Sequence, residues 1–357
     1  MKILSRYLAH HLHRSALSVL AVLLVLLALF DLIRELSTLG KSEYGVGRVF
    51  ALVALDLPGH VHEQLPLAVL IGALLALTQL VKHSELTVMR VSGLSLRRIA
   101  VSLLTIGLPI VALNFVVGEF IAPPSEQLAQ KLRAPATSGI VAREFRSGLW
   151  VKDDNSFINV RDVLPDATLL GVKIYEFDAH RQLRLASFAE RGEYDRGNRW
   201  RLHNVAQTRF EDKRSVVTRL SDAYWFSVLH PDLLNVLLIK PELMSIQTLY
   251  SYVQYLRGNG QETRRYETAL WFKLVYPLAI LVMLLVAVPF ALLPRFTGSV
   301  NTQIFIGIMV GVLFNTLIRL FSRLGLINEW PPLTGAVAPA LILLVVAMAA
   351  TWWVEKR

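Results

Sequence analysis

Residues 15–30 read SALSVLAVLLVLLALF, a run without a charged side chain. The run lies within a longer apolar segment, residues 14–33, which is long enough to cross the roughly 30 Å hydrocarbon layer of a bilayer as a helix. It is too long for the apolar part of a signal peptide, and no small-x-small cleavage site follows it. The segment therefore predicts a membrane-spanning helix that stays in the protein.

Further apolar segments of the same kind follow along the chain. Only helices and closed barrels satisfy their backbone groups inside a bilayer, and the residue periods do not suggest a barrel, so each segment predicts a transmembrane helix. The predicted spans form two groups of three, at 14–33, 61–81, 99–121, 269–293, 303–321 and 333–354. This layout divides the chain into helices one to three (1–122), an inserted polar domain (123–267) and helices four to six (268–357).

The composition agrees with a membrane protein and narrows its chemistry. Apolar residues make up 54% of the chain and charged residues only 18%, against about 25% charged residues in soluble domains. The absence of cysteine excludes disulfides, thiol nucleophiles and thiolate metal sites. The net charge of +10 is compatible with a polyanionic ligand such as a phosphorylated lipid. Nucleic acid is disfavoured, because the basic residues are spread over loops.

The positions of lysine and arginine predict the orientation of the chain. Basic residues concentrate at both termini and in the short loop at 82–98, between spans two and three. Short loops with an excess of positive charge stay on the cytoplasmic side. We therefore expect both termini in the cytoplasm and the inserted domain, which follows an odd number of spans, on the outer side.

The inserted domain has the pattern of an all-β fold. Runs rich in β-branched and aromatic residues, separated by turn-forming clusters, occur at 156–163, 171–177, 200–205 and 215–225. No helical pattern intervenes, so the runs predict an antiparallel sandwich or a jellyroll-like domain. Residues 245–256 are predicted to form a helix that leads back to span four.

The loop at 82–98, KHSELTVMRVSGLSLRR, is short, basic and amphipathic. It has two interpretations: a cytoplasmic coupling helix that docks onto a motor protein, or a solvated basic loop. The apolar side chains interleave with charged ones more regularly than a plain loop requires. The candidate contact residues are Glu85, Leu86, Met89 and Arg90.

Basic residues also follow the outer ends of spans one and three: Arg34, Lys41, Lys131 and Arg133. They are candidates for binding the phosphates of an anionic lipid through charge-assisted hydrogen bonds. The alternative is ordinary anchoring at the membrane interface, which is the commoner fate of such residues. Arg319 lies deeper within span five and needs a polar partner, which the sequence does not identify.

The sequence contains no pattern of a catalytic centre. There is no zinc-binding HExxH, no carboxylate pair and no arrangement typical of a Ser-His-Asp triad, and His60 and His62 at i, i+2 do not share a helix face. Gly40-Lys41-Ser42 resembles the end of a phosphate-binding loop, but Glu35 stands where that loop needs glycine. We expect no catalytic residue, no metal site and no cofactor in this chain. If ATP and Mg²⁺ drive it, a partner hydrolyses the ATP.

Over nearly its whole length the chain resembles the lipopolysaccharide export permeases, the LptF/LptG (YjgP/YjgQ) family, and it is nearer to the LptG subunit than to its paralogue LptF. Two of the motifs that carry the resemblance are fairly specific together, namely SELTVMRVSG and GLWVKD. The full set of motifs is RYL (6–8), IGALL (71–75), SELTVMRVSG (84–93), GEFIAP (118–123), GLWVKD (148–153) and YVQYL (252–256).

The resemblance implies an inner-membrane subunit of an ABC transporter that extracts lipopolysaccharide from the outer leaflet. It implies four kinds of partner: a paralogous six-span subunit (LptF-like), a dimeric cytoplasmic ATPase (LptB-like), periplasmic jellyroll proteins (LptC-like and LptA-like) that carry the lipid onward, and the lipid itself. Glu85 matches the family's acidic position in the coupling helix, and Arg133 one of its basic positions against the lipid phosphates. Gln130, Asp31 and Thr38 replace basic residues at others.

Two other classes of function fit the layout. A non-transporting envelope scaffold would use the β domain as a binding module, and an ATP-independent lipid carrier would need no motor. Neither class requires a docking helix on the cytoplasmic side, so the segment 82–98 is the sequence feature that discriminates between them and a driven permease.

Overall fold

A computed structural model of the chain shows a helical bundle with a β-sheet domain inserted between its two halves. It describes residues 2–37, 45–93, 95–133, 149–153, 155–164, 168–178, 180, 182–195, 199–211, 214–227, 241–258, 260–292 and 300–356.

The helices of the first half are α1 (Lys2–Leu36), α2 (Val46–Lys82), α3 (Glu85–Val91), α4 (Leu96–Val116) and α5 (Ala122–Arg133). Those after the sheet are α6 (Ile246–Gly258), α7 (Arg264–Val275), α8 (Ala279–Leu292), α9 (Val300–Ile327) and α10 (Pro332–Glu355). The helix predicted at 245–256 corresponds to α6.

Six helical stretches in the described residues are long and apolar enough to cross a membrane, which confirms the predicted fold class. They are Arg6–Leu36, Val46–Lys82, Leu96–Gln130, Arg264–Ala291, Asn301–Ile327 and Pro332–Trp353. Most extend beyond the predicted segments, because hydropathy detects only the part of a helix that lies in hydrocarbon. The candidate sites lie on the ends of α1 and α2 that extend beyond the predicted apolar segments.

Two of the spans are not regular α-helices. The third span passes from α4 through a π-helical turn, Val117–Ile121, into α5. The fourth span passes from α7 to α8 through a 3₁₀ turn, Tyr276–Leu278. Single π turns inside α-helices are rare and often mark functional positions, and both irregular turns lie near the same outer end of the bundle.

The centre of the bundle is α2. Of its most apolar stretch 72% is buried, against 17% for the first span and 11% for the fifth. Gly72 of α2 lies so close to Ala16 of α1 that an added Cβ would come within 2.5 Å of the Ala16 backbone. On a different face of α2, Ile71 and Leu74 pack against Gly307 of α9. Because lipid tails are as apolar as leucine, small residues that allow close backbone approach supply much of the packing energy between spans.

The inserted domain is a single antiparallel sheet among the described residues. Its strands are β1 (Leu149–Asp153), β2 (Ser156–Val163), β3 (Leu169–Phe177), β4 (Leu183–Asp195), β5 (Arg199–Glu211) and β6 (Arg214–Phe226), paired in that order. Four of them match the predicted runs. The sequence analysis missed β1, which is short, and β4, whose charged residues weaken its pattern.

The sheet encloses its own apolar core. Alternate residues of β1 to β5 point to one buried face, on which Trp200 is fully buried. At one end the sheet curls until Ser227, just after β6, donates a hydrogen bond of 2.5 Å to Asp153 at the end of β1. The first and last strands thus meet at that end, and the domain needs no helix to cover its core.

The glycine contact between α1 and α2 is testable. We expect Gly72→Ala to lower the midpoint of thermal unfolding, because the new methyl group meets the backbone of Ala16 rather than a movable side chain. Gly47→Ala in the same helix is the control, since nothing lies within 4 Å of its new methyl group. The control should be neutral or stabilising by up to about 1 kcal/mol, the ordinary gain in helix propensity. Equal midpoints for both variants would contradict the packing argument.

Candidate functional site

The candidate coupling segment folds as a short helix, α3, held between two tight turns. Ser84 before it and Gly93 after it both adopt positive φ angles, 58° and 92°. The inward side of α3 is apolar: Leu86 is buried, and Met89 packs against the same cluster, which includes Leu8 and Leu12 of α1. α3 therefore packs with its inward side on the apolar core of the bundle.

The outward side of α3 is also partly apolar. Val88 is 62% exposed and Val91 is 85% exposed. The two valines form a small exposed apolar surface on an otherwise charged helix. Such a surface is a candidate contact site for another protein.

Glu85 connects α3 to the first helix by a hydrogen bond. The hydroxyl group of Tyr7 donates to a carboxylate oxygen of Glu85 at 2.8 Å, and the Tyr7 ring packs edge-on against His11. This bond fixes the direction in which the Glu85 carboxylate points.

The structure separates the four residues predicted for motor contact. Glu85 lies at the edge of α3, whereas Leu86 and Met89 face the protein's own core. The side chain of Arg90 lies outside the described part of the chain. The sequence analysis missed Tyr7, Val88 and Val91, because it could not tell which side of so short a helix faces inward.

At the end of the bundle that leads into the β domain, three carboxylates are buried side by side: Asp31 and Glu35 of α1 and Asp56 of α2. Asp31 and Glu35 are four residues apart and so share one helix face. Carboxylates buried in this way are stable only when cations compensate them, and the neighbouring elements supply arginines.

Arg133, at the end of α5, joins two of these carboxylates. Its guanidinium lies 3.0 Å from Glu35 and 2.5 Å from Asp56, with Glu126 at 3.9 Å. Burial acts to lower the pKa of Arg133, but the carboxylates of Asp56 and Glu35 outweigh it, so its pKa is raised above the ordinary value. Arg133 is therefore a fixed positive charge that ties α5 to α1 and α2.

Arg34 has a more open position. Its guanidinium contacts Asp31 at 2.8 Å and approaches Asp56 at 3.7 Å, while 64% of its side chain remains exposed. On the other side of Asp31, His60 lies 2.5 Å from the second carboxylate oxygen. The two predicted lipid-binding arginines, Arg34 and Arg133, thus meet at Asp56.

The other two predicted lipid-binding residues cannot be placed. Lys41 lies outside the described residues, as does the side chain of Lys131. The sequence analysis did not anticipate the structural role of Glu35, Asp56 and His60. One signal was available, since Asp56 interrupts the apolar run VFALVALDLP at residues 49–58, where an unpaired carboxylate would be costly.

The π turn of the third span organises a second polar group. Glu119 within it accepts hydrogen bonds from the backbone N–H of Ile246, at 2.8 and 2.9 Å, where α6 begins. A carboxylate at this position compensates the positive end of the α6 dipole. Glu119 also lies 3.5 Å from the ammonium group of Lys273 on α7. One side chain thus connects the third span, the fourth span and the helix that returns from the β domain.

Next to this group is a cavity of about 400 Å³ between α2, the π turn, α5, α7 and α9. Its lining includes Arg319 and Asn315, whose side chains form a 3.2 Å hydrogen bond. Asn315 is therefore the partner for Arg319 that the sequence left unidentified.

Comparison with known proteins gives a consistent result along the chain. The family model described as "Lipopolysaccharide export system permease LptF/LptG" matches residues 6–353. The LptG permease protein of Escherichia coli K12 is 31% identical over 348 residues, which is 97% of this chain and 97% of that protein. The LptG protein of Haemophilus influenzae is 30% identical over 326 residues, 91% of this chain and 90% of that protein.

The ion pairs of Arg133 predict its effect on stability. Arg133→Gln should destabilise the protein by about 1–3 kcal/mol, because it removes a cation that compensates two buried carboxylates. Arg34→Gln is the matched control and should cost less than about 1 kcal/mol, as an exposed ion pair does. Thermal unfolding of the detergent-solubilised protein measures both.

A third variant tests the cause of that destabilisation. Adding Glu35→Gln and Asp56→Asn to Arg133→Gln should recover part of the lost stability, because the carboxylates then no longer need the cation. An Arg133→Gln protein as stable as the Arg34→Gln control would show that the buried pairs contribute little.

Proposed function

We propose a function for this chain on the premise that it belongs to the lipopolysaccharide export permease family, LptF/LptG, whose members its sequence matches over nearly the full length. The chain is a multi-pass inner-membrane permease subunit of lipopolysaccharide transport. Beyond this, we propose that it forms half of an ABC transporter. In that assembly it extracts lipopolysaccharide from the outer leaflet and passes the lipid to a periplasmic bridge of jellyroll proteins.

The proposed orientation places the termini and α3 in the cytoplasm and the β domain in the periplasm. It is supported by the basic residues at both termini and in the loop of α3. It is also supported by the sheet's position after three of the six possible spans. Two sites then lie on opposite sides of the membrane: the α3 surface inside, and the arginine groups outside.

The observation that carries the proposal is the construction of α3. Its inward side chains pack on the apolar core of the bundle, while Val88 and Val91 remain exposed and Glu85 is hydrogen-bonded to Tyr7 of α1. We propose that a cytoplasmic ATPase binds this outward face and that movement of α3 is transmitted directly to α1. ATP and Mg²⁺ belong to that partner, and the chain itself catalyses no reaction.

The lipid is proposed to lie against the two least buried spans, the first and the fifth. α1 exposes Val22, Val25, Leu29 and Phe30, and α9 exposes Phe305, Met309 and Val312. These spans pack on different faces of α2, so their outer surfaces are free to contact acyl chains or the paralogous subunit. Arg34 lies at the outer end of α1, with most of its side chain exposed.

The arginines at the outer end then have different proposed roles. Arg34 contacts a lipid phosphate directly, because its guanidinium is open to the outer surface. Arg133 maintains the frame, because it is engaged by Glu35 and Asp56. Contact of Lys41 and Lys131 with the lipid phosphates stays a prediction.

Charge reversal on α3 tests the proposed coupling to a motor. In proteoliposomes that contain the chain with its partner subunits, Glu85→Arg should abolish ATP-driven release of lipopolysaccharide, because it places a cation at the motor interface. Glu262→Arg, at an exposed site on the other side of the bundle, is the control and should leave release unchanged. Normal release from the Glu85→Arg complex would remove the coupling role and favour a scaffold or an ATP-independent carrier.

A subtler substitution tests the Tyr7 contact. Tyr7→Phe removes the O–H donor to Glu85 and keeps the ring, so the chain should assemble normally. We expect lipid released per ATP hydrolysed to fall by about two- to tenfold, the equivalent of one hydrogen bond. The ratio is measured by following lipid release and phosphate production in the same sample. An unchanged ratio would mean that Tyr7 does not position Glu85.

A further inference from the structure

The outer cavity between α2, the π turn, α5, α7 and α9 carries charges that the proposed function does not use. Its cations are Arg265, Lys273 and Arg319, and its carboxylates are Glu63 and Glu126. Lys273 is matched by Glu119 at 3.5 Å, and Glu126 lies 3.9 Å from Arg133.

The two guanidinium groups that face the cavity differ from Lys273 in their partners. Neither Arg265 nor Arg319 belongs to any of the ion pairs that the described residues form. Arg319 donates instead to a neutral group, the side-chain oxygen of Asn315. The carboxylates of Glu63 and Glu126 equal the two guanidinium groups in number, so what the cavity offers an anion is a pair of guanidinium donors rather than a net positive charge. Guanidinium groups form paired hydrogen bonds with phosphate oxygens more readily than ammonium groups do.

The walls of the cavity fit a lipid rather than a free ion. Phe272, Ile318 and Leu326 line it beside the charged groups. Arg319 also terminates an exposed stripe on α9. Ile308, Val312, Asn315 and Arg319 follow one another at helical spacing on one face and are all exposed. At 1.5 Å per residue, the stripe from Ile308 to Arg319 is about 16 Å long, comparable to an acyl chain.

We propose that this cavity binds a phosphate group of a membrane lipid through Arg319 and Arg265, while an acyl chain of the same lipid lies along the stripe on α9. The proposal rests on the proposed function in one respect, that α9 faces lipid at the outer leaflet. The phosphate belongs either to lipopolysaccharide or to a glycerophospholipid such as phosphatidylglycerol, and the chemistry of recognition is the same.

Photocrosslinking from inside the cavity tests the proposal. A benzoylphenylalanine replaces Ser322, which lines the cavity one turn beyond Arg319, in the complete complex with its partner subunits. The complex is exposed separately to lipopolysaccharide, to the same lipopolysaccharide after enzymatic removal of its phosphates, and to phosphatidylglycerol. We expect adducts with a phosphorylated lipid and about tenfold fewer when both Arg319→Gln and Arg265→Gln are present, as expected for lost charge-assisted hydrogen bonds.

Arg323→Gln is the matched control, because Arg323 lies on the same helix, is exposed and is outside the cavity lining. It should leave adduct formation unchanged. If adducts with lipopolysaccharide depend on the two arginines, the transported lipid is the ligand. If adducts with phosphatidylglycerol depend on them, the ligand is a bound phospholipid. Equal adducts in the control and the double variant with both lipids would overturn the proposal. So would lipopolysaccharide adducts that are equal before and after phosphate removal, if no arginine-dependent adducts with phosphatidylglycerol are found.

Two further comparisons separate a failure to assemble from a failure to bind, and the cavity site from the main lipid path. If the double variant does not assemble, the comparison of phosphorylated and dephosphorylated lipid on the unsubstituted arginines decides alone. A second photoreactive position at Phe30, exposed on α1, reports the main lipid path. Adducts at Phe30 without phosphate-dependent adducts at Ser322 reject the cavity site and leave the proposed function standing. The absence of lipopolysaccharide adducts at both positions counts against the proposed function itself.

Discussion

The structure depends on the close packing of α2 against its neighbours. Inside a bilayer the spans gain nothing from excluding water, so contacts such as that of Gly72 with Ala16 must hold the bundle together. Because α2 is also the longest of the described helices, its two ends project on opposite sides of the membrane. One end leads into α3, and the other carries Asp56 into the buried carboxylate group. A single rigid helix thus determines where both candidate sites lie.

The buried carboxylates give Arg133 and Arg34 different surroundings, while both stay predicted lipid contacts. A buried carboxylate stabilises the fold only if a cation stays with it, and Arg133 meets that need for Glu35 and Asp56. A phosphate that competed for Arg133 would weaken its contacts with both carboxylates. Arg34 does not have this restriction, since most of its side chain is exposed. The buried carboxylates thus hold the guanidinium group of Arg133, whereas that of Arg34 stays accessible.

The sequence predicted the fold better than the site, for a physical reason. Length and apolar composition alone decide whether a helix crosses a bilayer, and runs of β-branched and aromatic residues between turn signals revealed β2, β3, β5 and β6. The pairing of Arg133 with Asp56 joins residues that are 77 positions apart, and no local pattern encodes it. The burial of Leu86 depends likewise on residues distant in the sequence, which form the apolar cluster that it joins. Sequence spacing places residues on a face of one helix but does not say what lies opposite.

The positions of Arg34 and Arg319 relative to α2 bear on the size of the transported lipid. α1 and α9 pack on different faces of α2, through Gly72 and through Ile71. Each presents an exposed apolar surface that ends in an exposed arginine, Arg34 in one case and Arg319 in the other. A lipid with one phosphate and two chains needs only one such surface. A lipid with several acyl chains and more than one phosphate can occupy both, so the separation of the two surfaces by α2 favours a large, multiply charged amphiphile over an ordinary phospholipid as the cargo.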